Sequence, residues 1–222
     1  MSRNFLTPVT LPAGTASNAP LNLQAGTNLT TAAAGAVEYD GKVIYSTPVG
    51  RGVSPSMMFY RLNSGVVGAD STAAQNILGV GVTLAASTVY AFEIQCAFSK
   101  TAGANSHTFT FFLAGTATAN NFYMHGFEQR STTALPLYIT TNNTFVSTAL
   151  ADTFATTASA SAALTRAYRV IGTISVNSGG TLIPRYQLSA APGGAYTTVA
   201  GSYMAIWPIG AAGANTSVGP WT

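Results

Sequence analysis

Apolar and polar residues alternate with a period of two along several stretches of this chain. The longest covers 89–99, where Tyr90, Phe92, Ile94, Cys96 and Phe98 share one face while Glu93, Gln95 and Ser99 fall on the other. Alternate side chains of an extended backbone point to opposite sides, so this period predicts a strand. A loop at 100–106 follows, and 107–113 alternates again through Phe109, Phe111 and Leu113. The two runs are expected to pair as a long antiparallel hairpin with aromatic contacts across it. A second hairpin is predicted over 166–189. Tyr168, Val170, Ile174 and Val176 alternate before the turn Asn177-Ser178-Gly179-Gly180, and Leu182, Pro184, Tyr186 and Leu188 alternate after it. Pro184 lacks a backbone N–H, which points to an edge or a bulge.

Shorter strands are predicted at 57–62, 76–84, 122–128, 136–141, 144–148 and 202–209. Residues 149–164, rich in Ala, Ser and Thr, read as a short helix or a loop. Asp40-Gly41 between two short apolar stretches predicts a type I′ hairpin, with Glu38 and Lys42 as a cross-strand pair. Many closely spaced strands with Gly and Asn turns predict an all-β fold, an antiparallel β-sandwich. A jelly roll is the preferred version, although alternation does not choose among sandwich topologies.

Residues 1–35 sustain neither period and carry Pro8, Pro12 and Pro20. They read as an extended N-terminal arm. The expected division is 1–50, arm plus β-hairpin, and 51–222, the sandwich domain with a short C-terminal tail. The arm's apolar residues favour ordering against a partner. Phe5, Leu6, Val9, Leu11, Leu21 and Leu23 are therefore candidate assembly contacts. Trp221, near the end of a Gly/Ala-rich tail, is a further candidate anchor.

Charge sharpens this picture. Asp, Glu, Lys and Arg make up only 7% of the chain, against about 25% in ordinary soluble domains. A surface of small neutral groups suits burial against other subunits, because few charges must lose water. The net charge of +3 comes from scattered basic residues, with no clustered patch that predicts a nucleic-acid partner. No apolar run is long enough for a membrane-spanning helix, and the N-terminus shows no leader-like apolar core. Assembly in the cytoplasm is expected. Cys96, the only cysteine, reads as a buried small hydrophobe.

Candidate chemistry is thin. His107 and His125 are the only histidines, and the acids number six. His125 and Glu128 lie three apart on a predicted strand and so face opposite ways. No nucleophile elbow, phosphate loop or dinucleotide fingerprint occurs. No catalytic residue, metal or cofactor is predicted. His107 reads as a hydrogen-bonding core or interface residue.

Three segments carry a resemblance. The first is Ala19-Pro20-Leu21-Asn22-Leu23-Gln24-Ala25-Gly26-Thr27-Asn28-Leu29-Thr30-Thr31, running into Gly35-Ala36-Val37-Glu38-Tyr39-Asp40-Gly41. The second is Leu84-Ala85-Ala86-Ser87-Thr88-Val89-Tyr90, with Ser99-Lys100-Thr101-Ala102-Gly103. The third is Arg169-Val170-Ile171-Gly172-Thr173-Ile174, with Gly179-Gly180-Thr181-Leu182-Ile183-Pro184 and Leu188-Ser189-Ala190-Ala191-Pro192-Gly193. In this order they resemble tailed-bacteriophage virion structural proteins of the tail-fibre-like and capsid-decoration type. The resemblance implies a trimeric β-structure located in the virion. Such modules often end a long fibre. Only a short arm precedes the module here, which favours a cement protein that stabilises the shell by clamping the major capsid protein. The alternative is a tail-fibre or receptor-binding tip that recognises host-surface glycans.

Overall fold

A computed structural model describes residues 11–47, 51–53, 56–132, 141–150, 152–213, 215 and 218. Among the described residues there is no helix, and so none long and apolar enough to cross a membrane. The strands are all antiparallel and form three sheets. The small N-terminal sheet comprises β1 (Val37–Tyr39), β2 (Ile44–Ser46) and β3 (Gly52–Val53). Next along the chain come β4 (Met58–Arg61), β5 (Val66–Val67), β6 (Gln75–Asn76), β7 (Val82–Leu84), β8 (Thr88–Lys100), β9 (Phe109–Gly115) and β10 (Ala119–Ser131). They are followed by β11 (Thr141–Ser147), β12 (Thr153–Ala155), β13 (Leu164–Val176), β14 (Gly180–Leu188), β15 (Thr197–Thr198) and β16 (Tyr203–Ala211).

A large sheet runs β11-β10-β13-β8, and then both β16 and β15 pair with the far edge of β8. β4 extends β16, and β5 extends β15. A smaller sheet runs β12-β9-β14, with the short strands β6 and β7 both on β14. The two sheets pack as a β-sandwich, as the alternation predicts. Phe109 sits at its centre, 4.9 Å from the Tyr186 ring and 5.0 Å from Phe98. Tyr90, Phe92, Ile94, Cys96 and Phe98 of β8 are all buried in this core.

The predicted pairings need correction. β8 and β9 are not hairpin partners. They lie in opposite sheets and meet through their side chains, and β8 pairs instead with β13. β13 and β14 likewise belong to different sheets, so the turn at 177–180 crosses the sandwich. Both strands of each predicted hairpin bury an apolar row, and two apolar rows can meet across a core as well as side by side. Pro184 does not mark an edge strand, because β14 has partners on both sides. Its residue falls where β7 ends and β6 begins, and its carbonyl accepts from the Ile77 N–H at 2.9 Å. The missing donor therefore lies in a gap of the ladder.

The turn after β1 is not type I′, since only Gly41 has a positive φ (88°). Asp40 closes it with its side chain, whose Oδ1 accepts the N–H groups of Lys42 and Val43, both at 2.8 Å. Burial raises the Asp40 pKa, but these hydrogen bonds outweigh it and hold the carboxyl below its ordinary value. Glu38 pairs with Arg51 rather than Lys42, at 2.9 Å. Lys42 instead reaches the Ala86 carbonyl at 3.1 Å, linking the small sheet to the sandwich. Residues 149–164 hold the short strand β12, and the predicted strand at 136–141 lies almost wholly outside the described residues.

Candidate functional site

Two regions concentrate chemistry, one inside the sandwich and one outside. Within it, Glu128 on β10 and Arg166 on β13 are diagonal neighbours on the inner face, and both are fully buried. Arg166 donates through one terminal nitrogen to Glu128 Oε1 and, at 3.1 Å, to Thr156 Oγ1. Asn143 Nδ2 donates to the other Glu128 oxygen at 2.6 Å. The guanidinium carbon lies 5.2 Å from the centre of the Phe109 ring, which adds a cation–π contact.

Nearby, His107 Nδ1 lies 2.7 Å from the Asn105 carbonyl, which can only accept, so Nδ1 carries the proton. Nε2 then accepts from the Tyr196 hydroxyl at 2.9 Å. Burial pushes the His107 pKa below its ordinary value. Lys100 is also buried. Its ammonium donates to four carbonyls, those of Ala102, Gly103, Ser161 and Ala162, at 2.6–3.1 Å. Lys100 thereby ties the 100–103 and 161–162 loops together at one end of the sandwich. Among the described residues, no three His, Cys, Asp or Glu side chains gather into a metal-ligating group.

Outside, the other face of the large sheet carries rows of paired side chains running across its strands. One row is Val146, His125, Ile171, Glu93, Ala205 and Phe59, and the next is Thr144, Phe127, Arg169, Gln95, Tyr203 and Arg61. Val146, Ile171, Phe127, Phe59 and the adjacent Tyr123 are exposed. Phe59 stacks on Tyr203 at 5.3 Å, and His125 packs 4.7 Å from Phe127. An ion pair on this face joins Arg169 to Glu93 at 3.2 Å, and the Tyr203 hydroxyl donates to the same Glu93 oxygen. Burial and that carboxylate together raise the Tyr203 pKa.

One end of the face is hollowed into a groove of about 500 Å³. Ala97 and Ala167, directly paired across β8 and β13, form its floor because neither side chain fills the space above the backbone. Phe127, Gln129, Gln95 and Arg169 stand around it, and the turn at 200–202 forms the far wall.

The predicted assembly residues lie elsewhere. Leu11 and Leu21 are exposed (45% and 61%) and Leu23 is half-buried, in a stretch from 11 to 34 that contains no strand. Phe5, Leu6, Val9 and Trp221 lie outside the described residues. The structure does not bring the described arm leucines into the outer-face rows. The sequence reading missed both the outer face and the internal ion pair. A signal for the pair was present: Glu128 and Arg166 fall in the core-facing parity of Met124 and Tyr168, where opposite charges on two strands imply a buried partner. Set against known proteins, the chain matches no family model, no curated protein and no solved structure.

Proposed function

We propose that the chain is a non-enzymatic structural protein of a tailed-bacteriophage virion. In this reading it forms a homotrimer that decorates the capsid and clamps the major capsid protein, and no nucleic acid, membrane or cofactor takes part. The observation that carries the reading is the outer face of the large sheet. Its aromatic and aliphatic side chains span β11 to β4, meet no partner sheet among the described residues, and stand among few charges. Large exposed apolar side chains gathered on one face mark a surface that meets another molecule. It is also inexpensive to bury, because only Glu93, Arg169 and Arg61 would lose water there.

The strand order supports the jelly-roll version of the sandwich. One set of four runs β7-β14-β9-β12 and the other β8-β13-β10-β11. The chain changes sheet at every step from β7 to β14 except between β10 and β11. This architecture recurs in viral shells and in lectins, and it carries no function by itself.

The test is a truncation. Deleting residues 1–35 is expected to abolish attachment to purified capsids. The truncated protein should still elute at about three times its own chain mass. Full decoration by the truncated form would overturn the clamp.

The groove favours a second reading, a receptor-binding tip that recognises host-surface glycans. The Phe127 ring offers a stacking face beside the amides of Gln95 and Gln129, which can both donate to and accept from hydroxyls. Binding of the isolated protein to a glycan array, lost on Gln129→Ala, is its expected outcome. A blank array together with no adhesion to host cells removes it.

A further inference from the structure

The large sheet overhangs the smaller one along β16 and β4. Beneath the overhang lies an apolar slot of about 140 Å³ between Met58, Tyr60 and Met204 on one side and Leu78, Val80 and Val82 on the other. No charged side chain lines it. Tyr60 (44%) and Val80 (40%) remain exposed at its mouth. β4 pairs only with β16, so among the described residues its outer edge meets no other strand. An edge of unpaired backbone groups beside an apolar slot is a template for an added extended segment. The backbone would supply the affinity and the slot would take alternate side chains.

We propose that this edge and slot receive the N-terminal arm of a second copy of the chain. The chemistry matches, because residues 4–37 contain no Asp, Glu, Lys or Arg, so burying the arm strips water from no charge. Residues 11–34 form no strand and leave Leu11, Leu21 and Leu29 exposed. The arm is tethered at Gly26, whose N–H donates to the Tyr39 carbonyl, and at Leu29, bonded to Glu38 and Arg51. The stretch before Gly26 can reach up to about 80 Å when extended. Among the described residues none of the chain's own arm lines the slot. Passing each arm to the next subunit is a head-to-tail contact that closes when the rotation returns to its start, as it does in a ring of three. The inference rests on the assembly reading and names a second contact between subunits, added to the outer-face contact that holds the trimer together.

The test uses the full chain with Tyr60→Cys. Cys96 is buried, so a maleimide-linked benzophenone attaches at position 60 alone. Isotopically heavy and light chains are mixed, irradiated and mapped by mass spectrometry, with Val67→Cys, on exposed β5, as the control position. Heavy-to-light cross-links from position 60 to residues 1–34 are expected, and deleting residues 1–34 should reduce them about tenfold or more. A trimer on sizing whose cross-links stay within one chain, or reach a neighbour outside 1–34, overturns the arm contact but leaves the assembly reading standing. A monomer without cross-links between copies overturns both.

Discussion

The two faces of the large sheet are built from the same strands and similar side chains, yet they are in opposite states. The inner face sets Phe92, Phe98, Phe122 and Tyr168 against the smaller sheet, and all are buried. The outer face carries Tyr123, Phe127 and Phe59, which are exposed, and Tyr203, which is half-buried. Period-two alternation assigns residues to faces, and it is the connections of the chain that supply one face with a cover. The inner face therefore accounts for folding, and the outer face carries the proposed association. The charges divide in the same way: Glu128 and Arg166 are sealed inside, while Arg169 is exposed and Glu93 half-buried.

The largest effect should come from breaking the inner face. Glu128→Ala leaves Arg166 buried without its counter-ion and is expected to cost about 3–5 kcal/mol in denaturant unfolding. Replacing the pair together, Glu128→Gln with Arg166→Met, should cost much less, because no uncompensated charge remains. Equal losses for the two variants would mean that packing rather than charge holds this end.

A smaller, pH-dependent effect is expected from His107. Its pKa in the folded chain lies below the ordinary 6.5, so the native state holds the neutral ring and the unfolded state protonates first. Stability is then fully present above that ordinary value and declines as pH falls through it toward the lower folded value. Melting temperature should drop by a few degrees between about pH 7 and pH 5, and His107→Asn should flatten that slope. An unchanged slope would assign the loss to other groups.

The smallest effect on folding is expected outside. Phe127→Ser should change the unfolding free energy of the chain by less than about 0.5 kcal/mol, while weakening self-association on a sizing column. A large loss of fold stability would show that the outer face is covered within the chain, and the contrast between the faces would fail.

Much of the sandwich was legible in the sequence because core-facing residues reveal themselves by parity. The buried row of β8, from Tyr90 to Phe98, is read directly from alternation. Neighbour choice was not legible. Nothing local to β8 and β9, or to β13 and β14, says whether two apolar rows lie side by side or face to face. The short links at 101–108 and 177–179 are long enough to cross between sheets, and they do. Asp40-Gly41 misled for a different reason, because a side-chain acceptor can close a turn that the dipeptide alone assigns to backbone conformation. The outer face escaped because aromatics in strands usually belong to a core, and exposure depends on whether a second sheet arrives.

The four carbonyls around the Lys100 ammonium also bear on how the protein can be labelled. The chain has two lysines, Lys42 and Lys100. An acylating reagent needs a free amine lone pair and room to approach, and Lys100 offers neither while the 100–103 and 161–162 loops stay docked. Slow acylation of Lys100 would then report how often that end of the sandwich opens.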